Sequence, residues 1–201
     1  MKNKIEYGKE YTEYQVNRSP IRKMIRKIYL NSIVKKVEGR AIDFGCGIGE
    51  LLERLPNGSI GFDINPHTVE YCKNKGLKVL LYQYESDHYD FKEIEKGEFQ
   101  TFILSHVLEH IPNPVEVLKK IISSCRLKSI NKIIIVVPGK KGFKFDNTHQ
   151  HFISKDFFVK NNLLDFDGYS ITLMKYFPIN LRWIEDVFTY HELQIVFSLK
   201  K

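Results

Sequence analysis

Residues 41–50 read AIDFGCGIGE, in which a short apolar segment runs directly into three closely spaced glycines. Gly45, Gly47 and Gly49 carry no Cβ, so the backbone can turn sharply there and approach a ligand closely. The spacing G-x-G-x-G differs from the dinucleotide fingerprint G-x-G-x-x-G, because Glu50 takes the place of the last glycine. A bulky acid at that position disfavours a pyrophosphate. No Gly-Lys-Ser/Thr follows, which excludes a P-loop.

The next expected strand, residues 59–63 (SIGFD), ends in a second acid, Asp63. A carboxylate at this point can accept hydrogen bonds from both vicinal hydroxyls of a ribose. Asp43, just before the glycines, can hold a cationic ammonium group. Together these features predict a ligand with a ribose but no diphosphate. The alternative is a tight strand-to-helix turn in which Asp63 is only a helix-start acid.

Short apolar segments alternate with helical patterns along the rest of the chain, which predicts an α/β domain with a mostly parallel sheet. The first helix starts at Ser19-Pro20, stops near Gly39 and places Ile21, Met24, Ile25 and Ile28 on one face. The expected strands are residues 40–44, 59–63, 77–82, 100–104, 132–137, 169–176 and 192–198. The other expected helices are residues 48–55, 66–75, 114–125 and 154–163.

Composition sets the class of protein. A length of 201 residues fits one domain, and 43% hydrophobic with 27% charged residues is typical of a soluble globular chain. The three cysteines form no CxxC, which disfavours disulfides and thiolate zinc sites and predicts a cytoplasmic location. No apolar segment approaches the roughly 18 residues of a membrane span, and the start MKNKIEYGKE lacks a signal-peptide core. The net charge of +7 permits a nucleic-acid partner without requiring one.

Three segments, AIDFGCGIGE, GFDINP (61–66) and ILSHVLEHIPNP (103–114), resemble class I S-adenosylmethionine-dependent methyltransferases. The resemblance is to the small ubiquinone- and menaquinone-biosynthesis enzymes and the methionine-biosynthesis W type, over roughly residues 18–165. It implies a Rossmann-like α/β fold whose seven-stranded, mostly parallel sheet has an antiparallel last strand and helices on both faces. We expect one domain over 1–201, with an N-terminal helical lid (1–38), a cofactor-binding core (39–138) and an acceptor side (139–201).

The resemblance also implies roles for individual residues around S-adenosylmethionine and its product S-adenosylhomocysteine. The glycine loop contacts the amino acid moiety, Asp63 the ribose and Ile64 the adenine face. Where relatives present an acid to the adenine amine, this chain has Gln83 and Tyr84, with Glu85 and Asp87 as alternatives. The predicted cofactor-binding residues are Asp43, Gly45, Cys46, Gly47, Gly49, Asp63, Ile64, Gln83, Tyr84, Ser105 and His106.

Three histidines are candidates for the catalytic residues. His151, then His149 and His106, are the predicted catalytic residues, because a neutral imidazole near pH 7 can take a proton from the acceptor. The alternative for 149–151 is the start of the following helix. His106, Glu109 and His110 form H-x-x-E-H, which differs from the zincin motif. They resemble the metal-binding E-x-x-E-H of small-RNA 2′-O-methyltransferases and some quinone O-methyltransferases, but with His for the first Glu we predict a structural role and no metal. The alternative is a transition-metal site of two or three histidines and one Glu, with His149 and His151 as further candidates.

The acceptor follows from residues around these histidines. Three lysines on the loop 139–144 favour an anionic small molecule as acceptor; the alternative is that they only solubilise the loop. Tyr7, Tyr11 and Tyr14 share one helical face and predict a lid, or simple packing. The leading hypothesis is methyl transfer to a small molecule or glycan by a monomer or homodimer. The alternatives are an RNA methyltransferase, favoured by the basic segment Arg22–Lys36, and a regulatory module that binds the cofactor without transferring methyl.

Overall fold

The computed structural model describes residues 8–200, apart from the side chains of residues 21 and 23. The described helices are α1 (Lys9–Val16), α2 (Pro20–Val34), α3 (Pro66–Asn74), α4 (Tyr84–Asp87), α5 (Pro114–Leu127), α6 (Lys140–Phe145) and α7 (Lys155–Lys160). The strands are β1 (Ala41–Phe44), β2 (Ile60–Asp63), β3 (Val79–Leu81), β4 (Thr101–Ser105), β5 (Lys132–Pro138), β6 (Asp165–Phe166), β7 (Tyr169–Phe177) and β8 (Glu192–Leu199).

The strands form one mixed sheet in the order β3-β2-β1-β4-β5-β8-β7-β6. Strands β1 to β5 pair in parallel, whereas β8 lies antiparallel between β5 and β7. The predicted Rossmann-like α/β class with an antiparallel last strand is confirmed. This order brings the carboxyl ends of β1, β2 and β4 to one edge, where ligands of doubly wound sheets bind.

The sheet has eight described strands where the sequence predicts seven. The additional strand is the two-residue β6, which pairs antiparallel with the start of β7. Asp167 and Gly168, both at positive φ (48° and 82°), make the turn between them. Asp-Gly is a strong hairpin signal, but two residues of strand are too short to show an alternating pattern.

Alternate residues of the central strands face opposite layers, as the period of a strand requires. Phe102 and Leu104 of β4 pack into the layer that contains buried residues of α5, whereas Ile103 packs into the layer of α2 and α3. β5 alternates in the same way between these two layers. Helices therefore cover both faces, as predicted.

Two helix predictions were wrong. Residues 48–55 hold only a 3-10 turn at Leu52–Arg54, since the glycine loop occupies the positions where the first helical turn was expected. α2 ends at Val34, before Gly39, and it buries Tyr29, Leu30 and Ile33 against the sheet while Met24 and Ile28 are exposed. The contact with the sheet therefore decides which face of α2 is buried, and the predicted apolar face of this helix is partly exposed to solvent.

Within residues 8–200, no helix combines the length and the apolar character needed to cross a bilayer. The cysteines Cys46, Cys72 and Cys125 are all buried and unbridged. Tyr7 of the proposed tyrosine face lies outside the described residues.

Candidate active site

The glycine loop turns sharply after β1 and is fixed to β2. Gly45, Gly47 and Gly49 have φ of 76°, 53° and 80°, a region that residues with a Cβ rarely adopt. The N–H of Gly45 donates to the carbonyl of Phe62 at 2.8 Å. A Cβ on Gly45 would lie 2.4 Å from Val107 Cγ2, so this position requires glycine. The loop therefore has a defined shape with its backbone close to the carboxyl edge of the sheet.

Asp63, at the end of β2, organises both the loop and the N-terminal helix. Its Oδ2 accepts from the N–H of Gly47 at 2.8 Å, and its Oδ1 accepts from the N–H of Asn65 at 2.9 Å. The Asn65 amide in turn donates to Gly8 O and Thr12 Oγ1, both at 3.2 Å, which holds α1 across this end of the site. Each carboxylate oxygen keeps a further lone pair, so the acid can still accept from ribose hydroxyls.

Asp43 lies one position before the end of β1 and is almost fully buried. Among the described residues its Oδ2 has no hydrogen-bond partner. Burial, with a smaller contribution from the charge of Asp63, raises the pKa of Asp43 to about 7. A buried carboxyl without a partner beside a cavity is suited to receive a cationic group from a ligand.

A cavity of about 670 Å³ opens over this edge of the sheet. Its size falls within the roughly 300–1,000 Å³ of small-molecule sites. Nine of the eleven predicted cofactor residues line it, namely Asp43, Gly45, Cys46, Gly47, Asp63, Ile64, Tyr84, Ser105 and His106. Gly49 and Gln83 lie outside the lining; Gly49 instead shapes the loop through its backbone, and Gln83 is exposed at the start of α4.

His106 is held between two acids at the end of β4. Its Nε2 lies 3.0 Å from Glu192 Oε1 and its Nδ1 lies 3.3 Å from Glu109 Oε1. Burial alone would lower the pKa of His106, but the interactions with Glu109 and Glu192 outweigh it and raise the pKa to about 10. The imidazole is therefore a cation at neutral pH, which suits it to hydrogen-bond donation rather than to the base role that the sequence predicts.

Glu109 is a fully buried carboxylate surrounded by imidazoles. Neither of its oxygens accepts a well-aligned hydrogen bond among the described residues. Ligand atoms of Glu109, His110 and His149 all lie within 4.8 Å of one another, close enough to hold a metal ion. Nδ1 of His110 is hydrogen-bonded to Thr148 Oγ1, and Nδ1 of His149 is hydrogen-bonded to the Phe143 carbonyl. The Nε2 atoms of both histidines therefore remain for a ligand.

The two histidines of the THQHF segment have different environments. His149 lines the cavity, its ring stacked on Phe143 with centroids 5.3 Å apart. His151, the first choice from the sequence, is not among the lining residues. The backbone N–H groups of Gln150 and His151 both donate to the Glu109 carbonyl, at 2.8 and 3.1 Å, and this fixes the chain so that His149 is the one at the cavity.

Comparison with protein families matches residues 14–160, more than half of the chain, to the methyltransferase domain family. The chain belongs to this family. The match confirms the class I S-adenosylmethionine-dependent methyltransferase predicted from the motifs.

A curated relative, the ubiquinone biosynthesis O-methyltransferase of Methylococcus capsulatus (strain ATCC 33009 / NCIMB 11132 / Bath), is 30% identical over 86 residues. The match covers 39% of this chain and 35% of that protein. Among solved structures, a SAM-dependent methyltransferase from Archaeoglobus fulgidus has a TM-score of 0.64 at 20% identity, covering 94% of this chain and 99% of that one. The small RNA methyltransferase HEN1 has a TM-score of 0.62 at 17% identity, covering 90% of this chain and 25% of that one.

Three arginines of the methyltransferase line the cavity from the N-terminal side, a feature that the sequence analysis missed. Arg18 and Arg26 both donate to Glu50 Oε2, at 3.0 and 2.5 Å, so the acid that replaces the third fingerprint glycine is neutralised within the wall. Arg22 donates to the Tyr14 hydroxyl at 3.0 Å and has no carboxylate partner among residues 8–200. Positive charge therefore reaches the cavity from α2 and the residues before it.

The lysines of the 139–144 segment have other contacts. Lys140 pairs with Asp186 at 2.7 Å, and Lys141 donates to the carbonyl of Val187 at 2.7 Å. The segment forms α6 where the sequence predicts a flexible loop, and it contributes Gly142 to the lining but none of its lysines. Helix formation turns the lysines away from the position that would attract an acceptor.

Aromatic residues form the wall where the sequence predicts adenine. Tyr82, Tyr84 and Tyr89 line the cavity together with Ile64. Asp87, one alternative for the adenine amine, instead accepts hydrogen bonds from the Tyr82 hydroxyl and from the backbone N–H groups of residues 91 and 92. Stacking on tyrosine, rather than an acid, is the feature this wall offers to a purine.

Proposed function

We propose that this protein binds S-adenosylmethionine at the glycine loop and transfers its methyl group to a small-molecule acceptor in the same cavity. The observation that carries the proposal is the continuity of that cavity. It extends from Asp43, the glycine loop and Asp63 to the cluster of His106, His149 and the arginines. A cofactor and an acceptor bound side by side there would meet at the end of β4.

Methyl transfer from a sulfonium is an in-line displacement, in which the cofactor supplies the reactive carbon. The protein has to orient both reactants and exclude water. The N-terminal helix α1, held by Asn65, and the side chain of Tyr11 close one side of the cavity. His106, held between Glu109 and Glu192, would contribute a fixed imidazolium beside the acceptor. His149 is the residue in position to receive a proton from a hydroxyl.

The acceptor is proposed to carry an anionic group. Arg22 lies in the cavity wall with tyrosine hydroxyls and no carboxylate as partners among residues 8–200, whereas Arg18 and Arg26 are paired with Glu50. A guanidinium binds carboxylates and phosphates with paired hydrogen bonds. Hydroxylated aromatic acids and sugar phosphates fit this chemistry.

Release of S-adenosylhomocysteine, measured with panels of anionic and uncharged hydroxyl compounds, tests this proposal. We expect turnover with anionic members, and Arg22→Ala should lower kcat/KM for them by about tenfold, because the variant lacks the guanidinium that would pair with the anionic group. Cofactor affinity should stay unchanged. Lys120→Ala, exposed on α5, is the control. Equal turnover of charged and uncharged compounds, by the wild type and by both variants, would contradict an anionic acceptor. A protein that binds the cofactor but shows no turnover would favour the regulatory alternative.

Cofactor affinity should rise with pH through the titration of Asp43. Its pKa of about 7 in the folded protein means that the carboxylate that holds the ligand ammonium is mostly protonated at pH 6 and mostly ionised at pH 8. We expect about a tenfold gain in S-adenosylhomocysteine affinity between these values by calorimetry. Asp43→Asn should bind weakly and without this gain. Because the unfolded carboxyl ionises near pH 3.8, the same group lowers folding stability as pH rises from about 4 to 7.

A second candidate is metal-assisted transfer to a hydroxyl, favoured by the Glu109–His110–His149 group. One carboxylate and two imidazoles suit a transition metal better than Mg²⁺, which prefers oxygen ligands. When bound, such an ion would polarise the acceptor hydroxyl. An RNA 2′-hydroxyl is the alternative acceptor for this chemistry, and salt-dependent RNA binding would favour it.

Titration of untagged protein with Mn²⁺, Co²⁺ and Zn²⁺ tests the metal candidate. If it holds, one ion binds per chain, and His149→Ala abolishes that binding while His151→Ala, outside the group, keeps it. Methyl transfer should then fall on treatment with a chelator and return with the metal. Full activity in the presence of a chelator, with no bound ion, would leave the metal-free prediction in place.

The cytoplasmic location and the monomeric or homodimeric state stay predictions from the sequence.

A further inference from the structure

Two thiols meet beneath the glycine loop. Cys46 belongs to the loop itself, and Cys72 projects from α3, which packs behind it. The Sγ atoms of both residues donate to one carbonyl oxygen, that of Gly47, at 3.6 Å from Cys46 and 3.3 Å from Cys72. Two residues 26 positions apart therefore converge on one backbone atom of the predicted cofactor site.

Both thiols are closely packed against neighbouring glycines. A Cβ at Gly61 would lie 2.6 Å from Cys46 Sγ, and a Cβ at Gly49 would lie 3.2 Å from Cys72 Sγ. Cys125 is buried in the layer on the opposite face of the sheet, so it cannot exchange with this pair. Proximity to Cys46 lowers the pKa of Cys72, whereas the contact with Cys72 and burial raise that of Cys46.

We propose that Cys46 and Cys72 are an oxidation site, at which a disulfide forms reversibly and closes the cofactor loop to its ligand. The inference adds a regulation of the same site and rests on the proposed function for its effect on cofactor binding. Cys46 lines the cavity, so a small peroxide can reach it. The thiolate form of Cys46 attacks the peroxide and becomes a sulfenic acid, and the hydroxide that leaves takes up the proton released by the thiol to form water. Because the pKa of Cys46 is raised, this step becomes faster as pH rises. The Cys72 thiolate then attacks the Cys46 sulfur, and hydroxide leaves and takes up a proton as a second water.

The disulfide alters the loop at the residue that binds Asp63. Both S–H donors to the Gly47 carbonyl are lost, and Cys46 is drawn toward α3. The N–H of the same Gly47 donates to Asp63 Oδ2 at 2.8 Å, so a shift of this peptide displaces the acid predicted to hold the ribose. A dithiol reductant reverses the change by thiol–disulfide exchange.

The test treats the full-length protein with hydrogen peroxide, blocks remaining thiols and identifies linked peptides by mass spectrometry. S-adenosylhomocysteine affinity is measured by calorimetry before oxidation, after oxidation and after dithiothreitol. We expect a Cys46–Cys72 link, at least tenfold weaker binding in the oxidised protein and recovery on reduction. Cys72→Ser should bind normally when reduced and lose the sensitivity to peroxide, whereas Cys125→Ser, the matched control, should keep it.

Absence of the link, oxidation to sulfinic acid instead, or a link that leaves affinity unchanged would overturn the inference. The wild-type crosslink decides the chemistry even if Cys72→Ser fails to fold. If the reduced protein does not bind S-adenosylhomocysteine, the proposed function fails and with it the regulatory effect, a result distinguishable from failure of the disulfide to form.

Discussion

Asp63→Ala should weaken S-adenosylhomocysteine binding by about a hundredfold or more. Two hydrogen bonds from ribose hydroxyls to a charged acceptor contribute about 1.5–3 kcal/mol each, and every 1.4 kcal/mol is a factor of ten. The variant also removes the acceptor of the Gly47 and Asn65 N–H groups, which loosens the glycine loop and the attachment of α1. Calorimetric titration measures the loss of affinity.

Two further variants separate recognition of the ribose from a general effect of charge or of folding. Asp90→Ala removes an exposed acid from the neighbouring segment and should bind like the wild type. Asp63→Asn keeps the size of the side chain but only one acceptor oxygen, so its affinity should lie between those of wild type and Asp63→Ala. Wild-type affinity in a folded Asp63→Ala protein would contradict the ribose assignment.

Gly45→Ala should lower both the stability and the cofactor affinity. The left-handed backbone costs about 1–2 kcal/mol for a residue with a Cβ. The new methyl would lie 2.4 Å from Val107 Cγ2, and overpacking of this kind costs a further ~1–3 kcal/mol. At 2–4 °C per kcal/mol for roughly this size, thermal unfolding should fall by about 5–15 °C.

Gly97→Ala is the matched control for backbone strain. Gly97 has a φ of 80°, like Gly45, but nothing lies within 4 Å of its added Cβ. Its unfolding temperature should fall by only the backbone share, and its affinity for S-adenosylhomocysteine should not change. Equal losses of stability in the two variants would mean that the methyl group added at residue 45 meets no costly overlap with Val107.

Local signals predicted most of the residues around the glycine loop that line the cavity. The three glycines need positive φ, and Asp63 ends the next strand; both facts follow from short stretches whose conformations are set by neighbours in the sequence. Parallel pairing of β1 with β2 then brings the loop and the acid together. The motif alone thus located the residues that the cavity collects.

The histidine and arginine side of the cavity depends on contacts between distant segments, which the sequence alone does not reveal. Glu192 begins β8, an unremarkable strand in the sequence, yet antiparallel pairing with β5 sets it beside His106. Arg18 and Arg26 reach Glu50 only because α2 packs against the sheet next to the loop. The basic face of the first helix therefore contributes to the cavity wall, where a solvated or RNA-binding surface was the available interpretation.

For a related reason the sequence does not show that His149, and not His151, lines the cavity. The two residues are equivalent as sequence, and the hydrogen bonds from residues 150 and 151 to the Glu109 carbonyl decide which ring faces the cavity. The accepting Glu109 carbonyl lies in a turn between β4 and α5, some 40 residues away in the sequence.

A calorimetric titration of the reduced, full-length protein with S-adenosylhomocysteine at pH 8 tests most directly whether the cavity binds the cofactor. We expect saturable binding with one site per chain, abolished or strongly weakened in Asp63→Ala. A folded protein that shows no binding under these conditions would contradict the assignment of the cavity to the cofactor.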